Sequence, residues 1–350
     1  MRRVELVTLR LFVAAAMSMP LCAQTAVPVA QANARPTAKS QMPDRSKPAP
    51  LGRLVDVGGY RVHLYCTGEG SPTVMIVGAA FSFDWQLVQP EVAKFTRVCT
   101  FDPSETAWSD PFRVASTSTM PNPTSMPRVT PTCADRVDEI HRLIERAPVE
   151  APYVLVGFSV GALWERLYAA KYPNNIAGMV IVDHAFVPDG GAEETRPATG
   201  STPSPHAPRD GYSPPVLVSK APIVIGFEDD WNFSKLPKRD QELHAWALSQ
   251  HPIRPNYEMA KDCFSEIESE VGERTYPLGD VQLAVISTPN EAPGYRELQA
   301  KLMALSRNSE QVVAENSSHM VPIDEPEVIT QAIRKIVEEG RRRGSGSKGP

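Results

Sequence analysis

Short apolar runs separated by helix-patterned stretches recur through most of this chain, and they restrict its possible folds more than any other feature. Thr73 to Val77, Arg97 to Phe101, Tyr153 to Val156, Met179 to Val182, Gln282 to Ile286 and Gln311 to Ala314 are such runs. An apolar run this short is buried on both faces, as in parallel strands joined by crossover helices. The chain therefore reads as α/β, with a mostly parallel sheet flanked by helices. Arg53 to Val57 and Tyr60 to Cys66 precede the alternation as a hairpin, because Gly58-Gly59 supplies the positive φ values of a tight turn. Helices are expected over Trp85 to Phe95, around Val137, Ile140, Ile144 and Ala147, from Val160 through Tyr168, and over Tyr295 to Leu305. A last helix carries Ile329, Ala332, Ile333 and Ile336, its start marked by Asp324, Pro326 and Glu327 in the manner of a capping box.

The alternation is framed and interrupted. Arg2, Arg3 and Arg10 precede the apolar Leu11 to Met19 and the small residues around Cys22-Ala23, the three-part layout of a secretory signal peptide over residues 1–23. The apolar part is short of the roughly 20 residues of a membrane span; Glu5 and the imperfect cleavage site leave an uncleaved anchor as the alternative to a secreted or periplasmic product. Residues 24–50 hold almost no large apolar side chain and read as a disordered linker. The periodic core spans 51–185 and 278–340. Between its parts lies an insertion, 186–277, rich in Pro, Gly, Ser and Thr over 188–222 and then helical over Lys238 to Ser249 and Tyr257 to Val271. Residues 341–350, with Arg341-Arg342-Arg343, read as a flexible solvated tail. A formal charge of -5 gives no global attraction to nucleic acid or anionic membrane.

Gly157-Phe158-Ser159-Val160-Gly161 joins an apolar strand run to a helix pattern, the context in which G-x-S-x-G forms a nucleophile elbow. Ser159 then projects at a helix N-terminus, where the free N–H of Val160 can donate to a developing oxyanion. A serine needs a base, usually a histidine held by a carboxylate. His319, in the loop between the last strand and last helix, lies on the same sheet edge and is the expected base. Its orienting acid is Glu291, after the strand Gln282 to Ile286, or Asp183, after Met179 to Val182; Asp183 could instead only cap the sheet end. The second oxyanion donor is expected in Val77-Gly78-Ala79-Ala80-Phe81, at Ala79 or Ala80. His184 reads as a pocket or structural residue, and His63, His141, His206, His244 and His251 as surface or packing residues.

Together these segments resemble the α/β-hydrolase superfamily over roughly Leu51 to Gly340. The matching residues are GFSVG at 157–161, Val182-Asp183, His319 ahead of Pro322, Asp324 and Pro326, and Phe101-Asp102-Pro103 through Ala107-Trp108-Ser109-Asp110. Val77-Gly78 stands where the family has His-Gly, and Asn290-Glu291 where it has Asp. The resemblance implies an eight-stranded, mostly parallel sheet, its second and fourth strands neighbours, with a helical cap at about 186–277. Those neighbouring strands carry Cys66 and Cys99, which allows a Cys66–Cys99 bridge with Cys133–Cys263 as the remaining pair; four buried free thiols are the alternative.

The resulting expectation is an exported serine hydrolase acting on a carboxylic ester or related small-molecule acyl substrate through an acyl-enzyme, with no metal or organic cofactor. A serine nucleophile sets it apart from the epoxide-hydrolase and dehalogenase branches. Peptidase, thioesterase and acyltransferase chemistry use the same groups. Trp231, Phe233, Trp246, Tyr257 and Phe264 either line an apolar acyl or aromatic pocket or pack the cap onto the core. The alternative class is a non-catalytic envelope binding protein on the same scaffold.

Overall fold

The computed structural model describes residues 47–78, 81–113, 130–184, 233–250, 257–272, 274–289 and 294–346. The expected signal region, most of the linker, the 188–222 stretch, Ala79, Ala80, Trp231 and Glu291 lie outside these residues. Eight strands form one sheet: β1 (Arg53–Asp56), β2 (Arg61–Thr67), β3 (Thr73–Val77), β4 (Val98–Asp102), β5 (Tyr153–Phe158), β6 (Ile176–Val182), β7 (Gln282–Ser287) and β8 (Ser309–Val313). Their order is β1-β2-β4-β3-β5-β6-β7-β8. β1–β2 and β2–β4 pair antiparallel; every pairing from β4 across to β8 is parallel. The hairpin turns as its glycines require: Gly58 and Gly59 have φ of 114° and 98°, and both amides donate to Asp56 Oδ1.

Side-chain alternation along the strands divides the core into two layers. Met75, Val77, Leu155, Met179, Ile181 and Leu283 face one layer, built with helices α2 (Cys133–Arg146), α3 (Gly161–Lys171) and α5 (Tyr257–Val271). Val74, Ile76, Val154, Val156, Val180 and Ala284 face the other, built with α1 (Gln89–Ala93) and α8 (Pro326–Gly346). α2 opens with a reciprocal cap in which Thr132 and Asp135 satisfy each other's amides. α3 is apolar on nearly all sides because α2 and α5 cover the face that the sheet does not. Helices α4 (Lys238–Gln250), α6 (Tyr295–Met303) and α7 (Val321–Asp324) complete the described set.

Three readings are corrected here. The helix expected over Trp85 to Phe95 is a 3₁₀ turn, Ser82–Trp85, followed by α1, which begins where Pro90 can occupy the first turn. The tail expected from residue 341 is instead the end of α8, which runs to Gly346. Arg341 ties it down by donating to the carbonyls of Ser71 and Phe95, at 2.8 Å each, while Arg342 and Arg343 pair with Glu339 one turn earlier. Of the insertion, α5 is part of the core layer: Ala260, Cys263 and Ile267 are buried in it.

Disulfides join Cys66 to Cys99 and Cys133 to Cys263. The first links residues directly opposed in the β2–β4 register, and the second links α2 to α5. Among the described residues no helix is long and apolar enough to cross a membrane.

Candidate active site

β5 ends at Phe158, and the chain turns into α3 through Ser159, whose φ is +56°. A non-glycine residue in this region is uncommon and marks a constrained turn. The flanking glycines make the turn possible. A Cβ on Gly161 would lie 1.9 Å from the Val77 carbonyl of β3, and one on Gly157 would lie 2.6 Å from Ala162 Cα of α3. Ser159 N donates to the Val182 carbonyl at 3.1 Å, so the elbow is pinned to the end of β6.

The next residue of that strand end is Asp183, also at positive φ (35°), its amide donating to the Ile286 carbonyl of β7 at 2.8 Å. This backbone points the carboxylate across the sheet edge to His319. Asp183 Oδ2 lies 2.6 Å from His319 Nδ1, and His319 Nε2 lies 3.0 Å from Ser159 Oγ. Asp183 Oδ1 accepts from the Tyr295 hydroxyl at 2.7 Å and the Thr288 hydroxyl at 3.3 Å. Both carboxylate oxygens are thus occupied in a position only 7% exposed, while the His319 side chain is 23% exposed. Burial and then the charge of Asp183 push the Tyr295 hydroxyl pKa upward, which keeps it a donor.

The loop carrying His319 is shaped by Asp324, whose Oδ2 accepts from the Ser318 amide at 3.0 Å and from its hydroxyl. Phe158 packs against the imidazole with ring centroids 4.9 Å apart. Val160 precedes the first residue of α3 with helical φ and ψ, so its amide belongs to the turn whose N–H groups have no intrahelical acceptor.

The structure therefore brings Ser159, His319, Asp183 and Val160 to one sheet edge. Glu291, Ala79 and Ala80 lie outside the described residues. A histidine Nδ1 can carry one proton, and Asp183 is the acceptor placed for it. Tyr295 and Thr288 were missed from sequence; their only local signal is that both flank the loop after β7.

His184 is buried, with Arg166 Nη1 donating to its Nε2 at 3.0 Å, which fits a structural role. His141 stacks on Tyr172 at 3.9 Å. His63 and His244, expected to be surface or packing residues, are packed in the interior, and each is also bonded to a buried aspartate. Phe233, Trp246 and Phe264 pack against buried clusters of the core. Among the described residues no cluster of His, Cys, Asp or Glu is placed to hold a metal.

No protein-family model matches the chain. Over 215 residues it is 26% identical to the uncharacterized protein YqjL of Bacillus subtilis, spanning 60% of this chain and 66% of that protein. Over 157 residues it is 27% identical to an uncharacterized Schizosaccharomyces pombe protein, spanning 36% and 26% respectively. The match covers less than two thirds of either relative. Among solved structures, a meta-cleavage product hydrolase from Pseudomonas fluorescens IP01 superposes with a TM-score of 0.55 at 15% identity, covering 83% of this chain and 98% of that one. A thermophilic esterase from Thermogutta terrifontis superposes with a TM-score of 0.51 at 19% identity, covering 82% and 98%. This chain has the α/β-hydrolase fold.

Within this α/β-hydrolase fold one buried group behind the elbow has a measurable consequence. Glu165 of α3 is fully buried, with its carboxyl filling the space a Gly157 side chain would need. Neither oxygen makes a well-formed hydrogen bond among the described residues, although the Gly157 backbone lies close enough to favour the charged form. Burial raises its pKa well above the usual 4.5, against the opposing charge of Arg166 and the Gly157 backbone. Above that usual value the unfolded chain releases a proton the folded chain keeps, so stability falls as pH rises toward the folded pKa. Glu165→Gln removes this loss. Its melting temperature relative to wild type is expected to rise over the range from about pH 4 upward. A difference that stays constant across that range would sink the assignment.

Proposed function

We propose that the protein is a serine hydrolase that cleaves a carboxylic ester or related acyl substrate. The observation that carries this reading is the unbroken contact series Ser159 Oγ, His319, Asp183, at 3.0 and 2.6 Å. In the mechanism, His319 Nε2 takes the Ser159 proton as Oγ attacks the carbonyl carbon. Asp183 holds the tautomer with the proton on Nδ1 and stabilises the imidazolium that forms. The tetrahedral oxyanion is met by the Val160 amide and by an amide of the β3 loop, at Ala79 or Ala80. His319 then protonates the leaving group; water, deprotonated by the same histidine, releases the acyl group and regenerates Ser159.

Tyr295 and Thr288 support this chemistry by occupying the far oxygen of Asp183, leaving the near one to His319. The two disulfides support an oxidising destination, in line with the signal-peptide reading of residues 1–23. The test is labelling with a fluorophosphonate, which modifies an activated serine, beside turnover of short, medium and long p-nitrophenyl esters. Labelling mapped to Ser159 with turnover of at least one ester is expected. A folded protein that takes no label points to a binding role.

A further inference from the structure

The carboxylate beside His319 comes from the end of β6, and the next strand end holds it. Asp183 Oδ1, the oxygen not bonded to His319, accepts from the Tyr295 hydroxyl at 2.7 Å and from the Thr288 hydroxyl at 3.3 Å. Thr288 follows β7 directly, and Tyr295 opens α6 after Gly294, whose φ is 83°. The Thr288 amide in turn donates to the Tyr295 oxygen at 3.2 Å. Tyr295 is 4% exposed, and its hydroxyl is bonded on both sides, giving to the carboxylate and accepting from the strand end.

Packing alone does not ask for this hydroxyl. Phenylalanine would fill the same space with no polar atom to satisfy. What the hydroxyl adds acts on Asp183 in two ways. An aspartate carboxylate turns about a broad, two-fold torsion, so a bond to each oxygen is what holds one orientation. With Oδ1 given to Tyr295, Oδ2 stays 2.6 Å from His319 Nδ1. A donor on a carboxylate also takes up part of its negative charge. The more of that charge Oδ1 shares with Tyr295, the less Oδ2 presents to the imidazole. Neighbouring ionisable groups are engaged elsewhere. Arg166 of α3 donates to His184, the residue after Asp183; Asp324 and Glu325 bind Ser318 and Asn316 of the His319 loop, and Lys235 pairs with Asp324.

We infer that Tyr295 is a positioning residue: through the Asp183 carboxylate it fixes the partner of His319 and limits how strongly that partner holds the imidazolium, so that α6 sets the lower end of the pH range in which the enzyme works. This rests on the hydrolase reading above.

The test measures kcat, KM and the pH dependence of kcat/KM between about pH 5 and about pH 9 for wild type, Tyr295→Phe, Thr288→Val and Tyr153→Phe. Tyr153→Phe is the control: it deletes another buried tyrosine hydroxyl, bonded to the Val149 carbonyl at 2.8 Å, at the far end of β5 from Ser159. Tyr295→Phe is expected to lower kcat roughly tenfold with KM within about threefold, the scale of losing one bond to a charged group that acts in the chemical step. Its acid limb is expected to move up by about half a pH unit or more, because a carboxylate that no longer shares its charge keeps the imidazolium protonated to higher pH. Thr288→Val, which deletes the longer bond, is expected to move the limb the same way by less. Tyr153→Phe is expected to change neither kcat nor the limb.

An active wild type with Tyr295→Phe unchanged overturns the proposal. So does a fall in kcat with the acid limb unmoved or moved down, or an equal shift from Tyr153→Phe. Should Tyr295→Phe not fold, Thr288→Val decides: the proposal stands if its acid limb moves up, and falls otherwise. A folded wild type that neither turns over esters nor takes the fluorophosphonate label overturns the hydrolase reading and this inference with it.

Discussion

Replacing Ser159 by alanine is expected to lower p-nitrophenyl ester turnover by about 10⁴-fold or more, the scale of losing a nucleophile, with little change in KM. The size follows from the geometry: Ser159 Oγ is the group held 3.0 Å from His319 Nε2. His319→Ala is expected to fall to the same level, and the double variant no further, because proton transfer and attack are one event. Stability is expected to change little, since alanine meets the same positive φ as serine at this position. Equal turnover by wild type and Ser159→Ala would remove the elbow from the chemistry. A tenfold loss in Ser159→Ala beside a 10⁴-fold loss in His319→Ala would instead point to His319 activating water directly.

The parts of this site that sequence makes legible are those written in local spacing. Gly157 and Gly161 stand two residues either side of Ser159, and the structure supplies the close contacts that require them, with Ala162 and with Val77. The short apolar runs of β3, β5 and β6 likewise become strands buried on both faces. The acid is a different problem, since Asp183 and Glu291 both follow strand ends on the same edge. What turns Asp183 toward His319 is a φ of 35° and a backbone bond to Ile286, neither of which residue type reveals. Tyr295 meets Asp183 across 112 residues, and His244 meets Asp84 across 160. No spacing rule reaches that far; such pairs become visible only once the sheet and α4 bring them together. The end of α8 is hidden from sequence for a related reason, because Arg341 is held by carbonyls of Ser71 and Phe95 that lie remote in the chain.

Removing the Cys133–Cys263 bridge as Cys133→Ala/Cys263→Ala is expected to give the larger stability loss of the two disulfides. The bridge closes a loop of 130 residues, and the chain-entropy relation gives about 5 kcal/mol for a loop of that length, against about 4 kcal/mol for the separation of 33 at Cys66–Cys99. Position reinforces the ranking. Cys66 and Cys99 face each other in a β2–β4 pair already held by ladder hydrogen bonds, whereas α5 reaches α2 through side chains alone. The Asp262 carboxylate adds one bond there, accepting from the Cys133 amide at 2.8 Å. The closed loop contains β5, the elbow, α3, β6 and Asp183, so the bridge restricts the unfolded chain over the whole segment that carries nucleophile and acid. Because α5 also covers α3, its release is expected to expose the helix behind Ser159 and to lower activity in the same urea range as the first unfolding transition. Urea midpoints of the two double-alanine variants against wild type measure the ranking. A Cys133→Ala/Cys263→Ala midpoint equal to wild type, or a larger loss from the Cys66–Cys99 pair, would show that α5 is held by packing rather than by its bridge.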